Sequence, residues 1–208
     1  MDQLAFRLYL ITDRAVAARP PVDIVEECLT AGLRAVQLRE KDLPVRDLLV
    51  LARELREVTR GYRATLVVND RADVALAADA DGVQRTHSSL PVSALRAIAP
   101  AGFLIGASTH SVAEARQAEA EGADFVVFGP VYDTPSKRAY GPPQGVSLLE
   151  TVIGSVSCPV IAVGGITPPR VAEVLAAGAS GVAIIRAIYA AERPADATKA
   201  FLDALGSA

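Results

Sequence analysis

The chain is predicted to be an α/β protein of the (β/α)8 TIM-barrel class, a single domain over residues 1–208, on three observations. Eight short runs rich in Val, Ile and Leu recur along it, helical patterns fill the intervals, and one helix-Gly-loop-strand junction repeats. The runs are Leu8–Ile11, Ala35–Leu38, Leu66–Val68, Gly82–Gln84, Leu104–Ala107, Phe125–Val131, Val160–Val163 and Val182–Ile185. Each is nearly continuously apolar rather than alternating, as expected of strands buried on both faces of a parallel sheet.

The intervals carry helical periodicity at Pro21–Ala31, Pro44–Thr59, Ala72–Ala80, Ser88–Ile98, Ser111–Glu121, Val146–Val156 and Pro168–Ala177. Gly32, Gly122 and Gly178 each follow a helical stretch and precede a strand, the position of a glycine that ends a helix. Eight such units in 208 residues correspond to a compact barrel. An open doubly wound sheet is the competing arrangement. It usually has a glycine-rich turn after the first strand, whereas Thr12-Asp13-Arg14 has no glycine.

A content of 51% hydrophobic and 22% charged residues is enough for one full core. The net charge of −3 argues against a nucleic-acid surface, which would shift the balance toward Lys and Arg. The first residues lack a secretory signal and no apolar run spans a membrane, so a cytoplasmic location is expected. Cys28 and Cys158 lie in no metal-binding spacing and read as buried thiols.

In a barrel the chemistry gathers at the C-terminal strand ends. Strand two ends in Gln37-Leu-Arg39-Glu-Lys41, whose alternate residues would bring two cations and an amide to the mouth, suited to an anion. Strand three ends in Asn69 and Asp70; the carboxylate is a candidate Mg²⁺ ligand or the cap of the next helix. Strand five ends in Ser108, Thr109 and His110, with hydroxyls able to meet a phosphate and an imidazole that is either a binding or a structural group. The long connection after strand six holds Thr134 and Lys137 among prolines and glycines, the makeup of a loop that closes over a site. Strand seven ends in Gly164-Gly165, which can turn bare amides toward an anion, and Thr167-Pro168-Pro169 reads as a helix start beside them.

The blocks Leu8-Tyr-Leu-Ile-Thr-Asp13, Gln37-Leu-Arg-Glu-Lys41, Val68-Asn-Asp-Arg71, Ile105-Gly-Ala-Ser-Thr-His110, Gly129-Pro-Val-Tyr-Asp-Thr-Pro-Ser-Lys137 and Ala162-Val-Gly-Gly-Ile166 together resemble the thiamin-phosphate synthase family, including its TenI-type branch. The resemblance implies an enzyme, a homo-oligomer in keeping with the family's habit, that joins a pyrimidine diphosphate to a thiazole phosphate and releases pyrophosphate with Mg²⁺. It implies that Arg39, Lys41, Lys137 and Mg²⁺ at Asp70 hold the pyrophosphate, with Gln37 and Asn69 lining that pocket and Ser108 near the reacting centre. Gly164, Gly165 and the backbone at Ile185 and Arg186 would hold the thiazole's phosphate, with His110 and Thr134 as further substrate contacts.

Two positions depart from the pattern. Ser89 stands where synthases place a second acidic Mg²⁺ ligand, as in the TenI-type branch, which isomerises a thiazole phosphate carboxylate. Pro130 stands where that branch places its histidine, as in synthases. Synthase, tautomerase and a non-catalytic phosphate-binding protein are the three readings left open.

Overall fold

The computed structural model describes residues 4–17, 19–134 and 142–206. Its strands are β1 Leu8–Ile11, β2 Ala35–Leu38, β3 Thr65–Asn69, β4 Gly82–Arg85, β5 Leu104–Thr109, β6 Phe125–Phe128, β7 Val160–Val163 and β8 Gly181–Ile184. All pair in parallel with their chain neighbours, and β8 pairs with β1, so the sheet closes into an eight-stranded barrel. The helices are α1 Pro21–Thr30, α2 Val45–Gly61, α3 Ala72–Ala77, α4 Val92–Ile98, α5 Val112–Ala120, α6 Gly145–Ile153, α7 Pro168–Ala176, α8 Arg186–Tyr189 and α9 Pro194–Gly206.

Continuous apolarity in the strands has a simple cause. Outward residues such as Leu10, Val36, Leu66, Ile105 and Val126 pack under the helices, while inward residues such as Tyr9, Ala35, Val67, Phe125 and Ile161 fill a separate cluster inside the barrel. Phe6 packs edge-on against Phe125 with centroids 5.8 Å apart. The interior is therefore solid, and only the last inward residue of each strand reaches the mouth.

The predicted glycine junctions are helix ends. Gly32, Gly122 and Gly178 have φ of 112°, 97° and 96°, and the amide after each donates back into the last turn, as Leu33 does to Cys28 O at 3.1 Å. The larger departures from expectation lie at β6, at α4 and after β8. The strand at Phe125 stops at Phe128, because Gly129-Pro130 follows and proline brings no amide to a ladder. Helix α4 begins at Val92 rather than Ser88, residues 86–89 forming a turn closed by Ser89 N–H on Thr86 O. Helix α9 was not expected; it packs on α1, α7 and α8 and touches β1.

Closure depends on one small residue. A Cβ on Gly181 would lie 2.2 Å from Arg7 O, the carbonyl that accepts from Val182 N–H in the β1–β8 seam. Gly181→Ala is expected to lower stability by about 1–3 kcal/mol through overpacking. Urea unfolding should show a lower midpoint at similar slope; a wild-type midpoint would contradict this account of the seam.

Candidate functional site

The mouth is built upward from β2. Gln37 is buried and its Nε2 donates to the Tyr9 hydroxyl at 3.2 Å, so this amide belongs to the top of the barrel core. Beyond it Arg39 is half-buried and Lys41 exposed, on a turn past the strand end. The two cations still converge: the Lys41 ammonium is held below the usual lysine range, chiefly by the Arg39 guanidinium and then by burial, with Asp70 and Asp13 pulling the other way. Two cations near enough to influence one another at the end of β2 make a site suited to a polyanion.

Sequence reasoning missed what holds Arg39 there. Its amide donates to the fully buried Thr12 hydroxyl oxygen at 2.9 Å, and Glu40 is also buried. The Glu40 carboxylate accepts from Arg14 N–H at 3.2 and 3.0 Å, tying the turn after β1 to the end of β2. A buried glutamate between two basic residues had no local signature of burial.

Asp70 does not cap α3. The residue in the cap position is Arg71, without a side-chain cap bond. Asp70 instead takes a φ of 66° and accepts on Oδ1 from the Ser89 hydroxyl. Ser89 Oγ in turn accepts from Thr86 N–H at 2.8 Å. Ser89 thus points at Asp70, and the turn after β4 is organised around that contact. Among the described residues no group of three or more His, Cys, Asp and Glu side chains is placed to hold a metal. A lone carboxylate suits a divalent ion that arrives already bound to substrate phosphates.

Ser108, at the end of β5, is half-buried, and its Oγ accepts from Gln84 Nε2 at 3.1 Å. With that lone pair engaged, its own O–H is left to donate elsewhere. Gly106 makes room for this: a Cβ there would lie 2.4 Å from both Gln84 Oε1 and Phe125 Cζ. Asn69 ends β3 half-buried, its side chain without a partner among the described residues. His110 serves a structural bond. Its Nδ1 faces Gly129 O at 2.5 Å, so that nitrogen carries the proton and links the ends of β5 and β6. Its backbone amide is taken by Glu114 in a capping arrangement with Ser111.

Gly164 and Gly165, with φ of 99° and 64°, end β7. A Cβ on Gly164 would meet Pro130 at 2.6 Å, and one on Gly165 would meet Asp133 O at 2.6 Å. The paired glycines are therefore required first by the stem of the β6 connection, which lies directly on them. Thr167 begins α7 in extended conformation but makes no side-chain cap bond, a correction to the expected cap. Pro168 and Pro169 carry no N–H, and Arg170 N–H already donates to Thr167 O at 2.9 Å, so α7 offers its dipole but few donors. The amides of Gly164, Gly165, Ile185 and Arg186 have no backbone acceptor outside the regular ladders among the described residues. Arg186 opens α8 exposed, with no side-chain partner among the described residues. Thr134 is half-buried at the end of the described stem, and Lys137 lies outside the described residues.

Comparison with known proteins agrees with this geometry. The family model described as thiamine monophosphate synthase matches residues 8–188. A Geobacter sulfurreducens homologue is 49% identical over 203 residues, 97% of this chain and 95% of that one. A thiamine-phosphate synthase of Methanoculleus marisnigri is 44% identical over 206 residues, covering 99% and 98%. The solved structure of a thiamine phosphate pyrophosphorylase from Pyrococcus furiosus superposes with a TM-score of 0.89 at 39% identity, covering 97% and 96% of the two chains.

Burial, the largest influence, pushes the Glu40 carboxyl above the ordinary 4.5, against the Thr12 hydroxyl and the Arg14 amide. A raised carboxyl favours the folded state most below the ordinary value, and that contribution is lost as pH rises through the folded pKa. Glu40→Gln keeps an acceptor but cannot ionise. Its stability should fall less steeply than wild type as pH rises from the 4.5 of a free glutamate. Urea midpoints at several pH values check this, and parallel curves would contradict it.

Proposed function

We infer the reaction from one premise: this chain belongs to the thiamine monophosphate synthase family. It is a thiamin-phosphate synthase, a transferase that forms a C–N bond between hydroxymethylpyrimidine diphosphate and thiazole phosphate. The bond from the pyrimidine methylene to the pyrophosphate oxygen breaks with its electron pair leaving on oxygen. The thiazole ring nitrogen supplies the pair for the new bond to that carbon.

The residue roles that follow are our reading. Arg39 and Lys41 receive the leaving pyrophosphate, and their mutual repulsion is relieved when the polyanion lies between them. Ser108 donates its free O–H to the departing group near the reacting carbon. Asn69 and Gln37 border that pocket, and Lys137, outside the described residues, is the basic residue the family pattern assigns to the same pyrophosphate. The amides at Gly164, Gly165, Ile185 and Arg186 hold the thiazole's single phosphate, the usual anion site after strands seven and eight in this fold. The observation that carries the reading is the placement of Arg39 and Lys41 just past β2 and of Asp70 just past its neighbour β3, with the glycine cup at β7, the strand diametrically opposite β3 in the closed order.

Asp70 fits Mg²⁺ as the one protein carboxylate of an ion otherwise held by phosphate oxygens and water. When bound, the ion neutralises charge building on the pyrophosphate. Ser89 cannot replace a second carboxylate; its hydroxyl positions Asp70 and occupies one of its oxygens. His110 is committed to Gly129 and His87 is exposed, so no observation favours the tautomerase reading. The charged substrates and two free cysteines fit a cytoplasmic enzyme. Among the described residues no helix is long and apolar enough to cross a membrane.

Purified protein with both substrates and Mg²⁺ should release pyrophosphate and thiamin phosphate in equal amounts, and no product at high enzyme would overturn the assignment. Asp70→Asn should lower kcat by about a hundredfold or more, as loss of a charge-stabilising group does. Ser89→Asp should shift the Mg²⁺ titration to lower concentration, and an unchanged titration would contradict the placement of the metal beside Asp70.

A further inference from the structure

We propose that Tyr132, Arg170 and Glu173 are positioning residues that aim the amides of the monophosphate site. The three come from the β6 connection and from α7. Arg170 Nη1 donates to Gly165 O at 2.7 Å, and its guanidinium carbon lies 4.3 Å from the centroid of the Tyr132 ring. The Tyr132 hydroxyl donates to Glu173 Oε2 at 2.6 Å, and its backbone N–H donates to Gly164 O at 3.0 Å.

Both glycine carbonyls are therefore taken by this cluster. In a planar trans peptide the C=O and the following N–H point in opposite directions. Holding Gly164 C=O on Tyr132 turns the Gly165 N–H of the cup the other way, and holding Gly165 C=O on Arg170 does the same for the Ile166 N–H, which adds a neighbouring donor to the four amides already named. Both face away from the clamp, and neither N–H has a hydrogen-bond acceptor among the described residues.

Left-handed glycines are otherwise permissive of several peptide orientations, so something must select one. The selection is mutual: Gly165 has no Cβ, and one there would lie 2.8 Å from Tyr132 Cβ, so the ring can reach Arg170 only because the glycine is bare. The Tyr132 phenol is pushed up to about 12 by burial and then by Glu173, so it remains a donor throughout the physiological range. Glu173 thereby fixes the ring that Arg170 covers, and Arg170 fixes the peptide.

The inference rests on assigning the thiazole's monophosphate to this cup. It therefore affects one substrate and not the other. Arg170→Leu should raise KM for thiazole phosphate about tenfold, the loss from misaligning charge-accepting hydrogen bonds, with KM for the pyrimidine diphosphate unchanged. Tyr132→Phe should raise the same KM a few-fold, since the ring still stacks but loses Glu173, and Arg170→Lys should recover part of the loss. Calorimetric titration with inorganic phosphate should weaken in the same order. Unchanged constants, or equal rises for both substrates, would overturn the clamp while leaving the synthase assignment intact. A wild-type protein that makes no product yet loses phosphate affinity on Arg170→Leu would keep the clamp and overturn the synthase assignment. Failure of the wild type to bind phosphate at all would overturn the clamp. The milder Tyr132→Phe and Arg170→Lys variants carry the test if Arg170→Leu does not fold.

Discussion

Backbone lying on backbone, where the stem of the β6 connection crosses the end of β7, is the contact on which the rest of the site depends. Pro130 to Asp133 occupy the volume that side chains on Gly164 and Gly165 would fill, and the amides of Val131 and Tyr132 donate to Val163 O and Gly164 O at 2.9 and 3.0 Å. The ladder thus continues past the point where strand geometry ends. It sets the direction in which the β6 connection leaves the barrel and the shape of the glycine turn beneath it. One set of contacts consequently governs both a loop that carries basic residues and a cup that offers amides.

The other side of the mouth is governed by charge rather than by packing. Arg39 and Lys41 are held close enough to oppose each other, and the network Thr12–Glu40–Arg14 fixes the backbone that presents them. Asp70 moderates this field while Ser89 restrains its carboxylate. A leaving polyanion answers that arrangement directly, because its arrival removes a repulsion already present. The single-phosphate cup needs no such charge pair; oriented amides and a short helix start suffice.

Much of this was legible in the chain because barrel strands are buried on both faces and so stand out as apolar runs. Val160–Val163 and Leu8–Ile11 match to the residue, and the glycine helix ends were placed correctly. Inward alternation was legible at Gln37, which turns into the barrel and bonds Tyr9, but it ends before Lys41, which is exposed on the turn beyond β2. What stayed hidden depends on distance along the chain. Tyr132 and Arg170 are far apart in sequence, and nothing local to either marks the stacking. Thr167 looked like a cap, but two prolines after it leave little for a cap to bind. His110 left a binding and a structural role open in the sequence, and it is tied to the Gly129 carbonyl just past the next strand. Ser88 read as a helix start, with Ser89 in place of an acidic metal ligand; the Ser89 hydroxyl is drawn into a tight turn by Asp70 and Thr86.

The central claim is that one barrel mouth holds two anion sites of different construction, an amide cup at β7 and β8 and a cationic rim at β2 and β3. A crystal structure with thiazole phosphate and pyrophosphate bound together tests this most directly. The account predicts the monophosphate within hydrogen-bond reach of the amides at Gly165 and Ile185–Arg186, and the pyrophosphate between Arg39 and Lys41 beside Asp70. A monophosphate on the Arg39–Lys41 rim, or a pyrophosphate in the glycine cup, would contradict it.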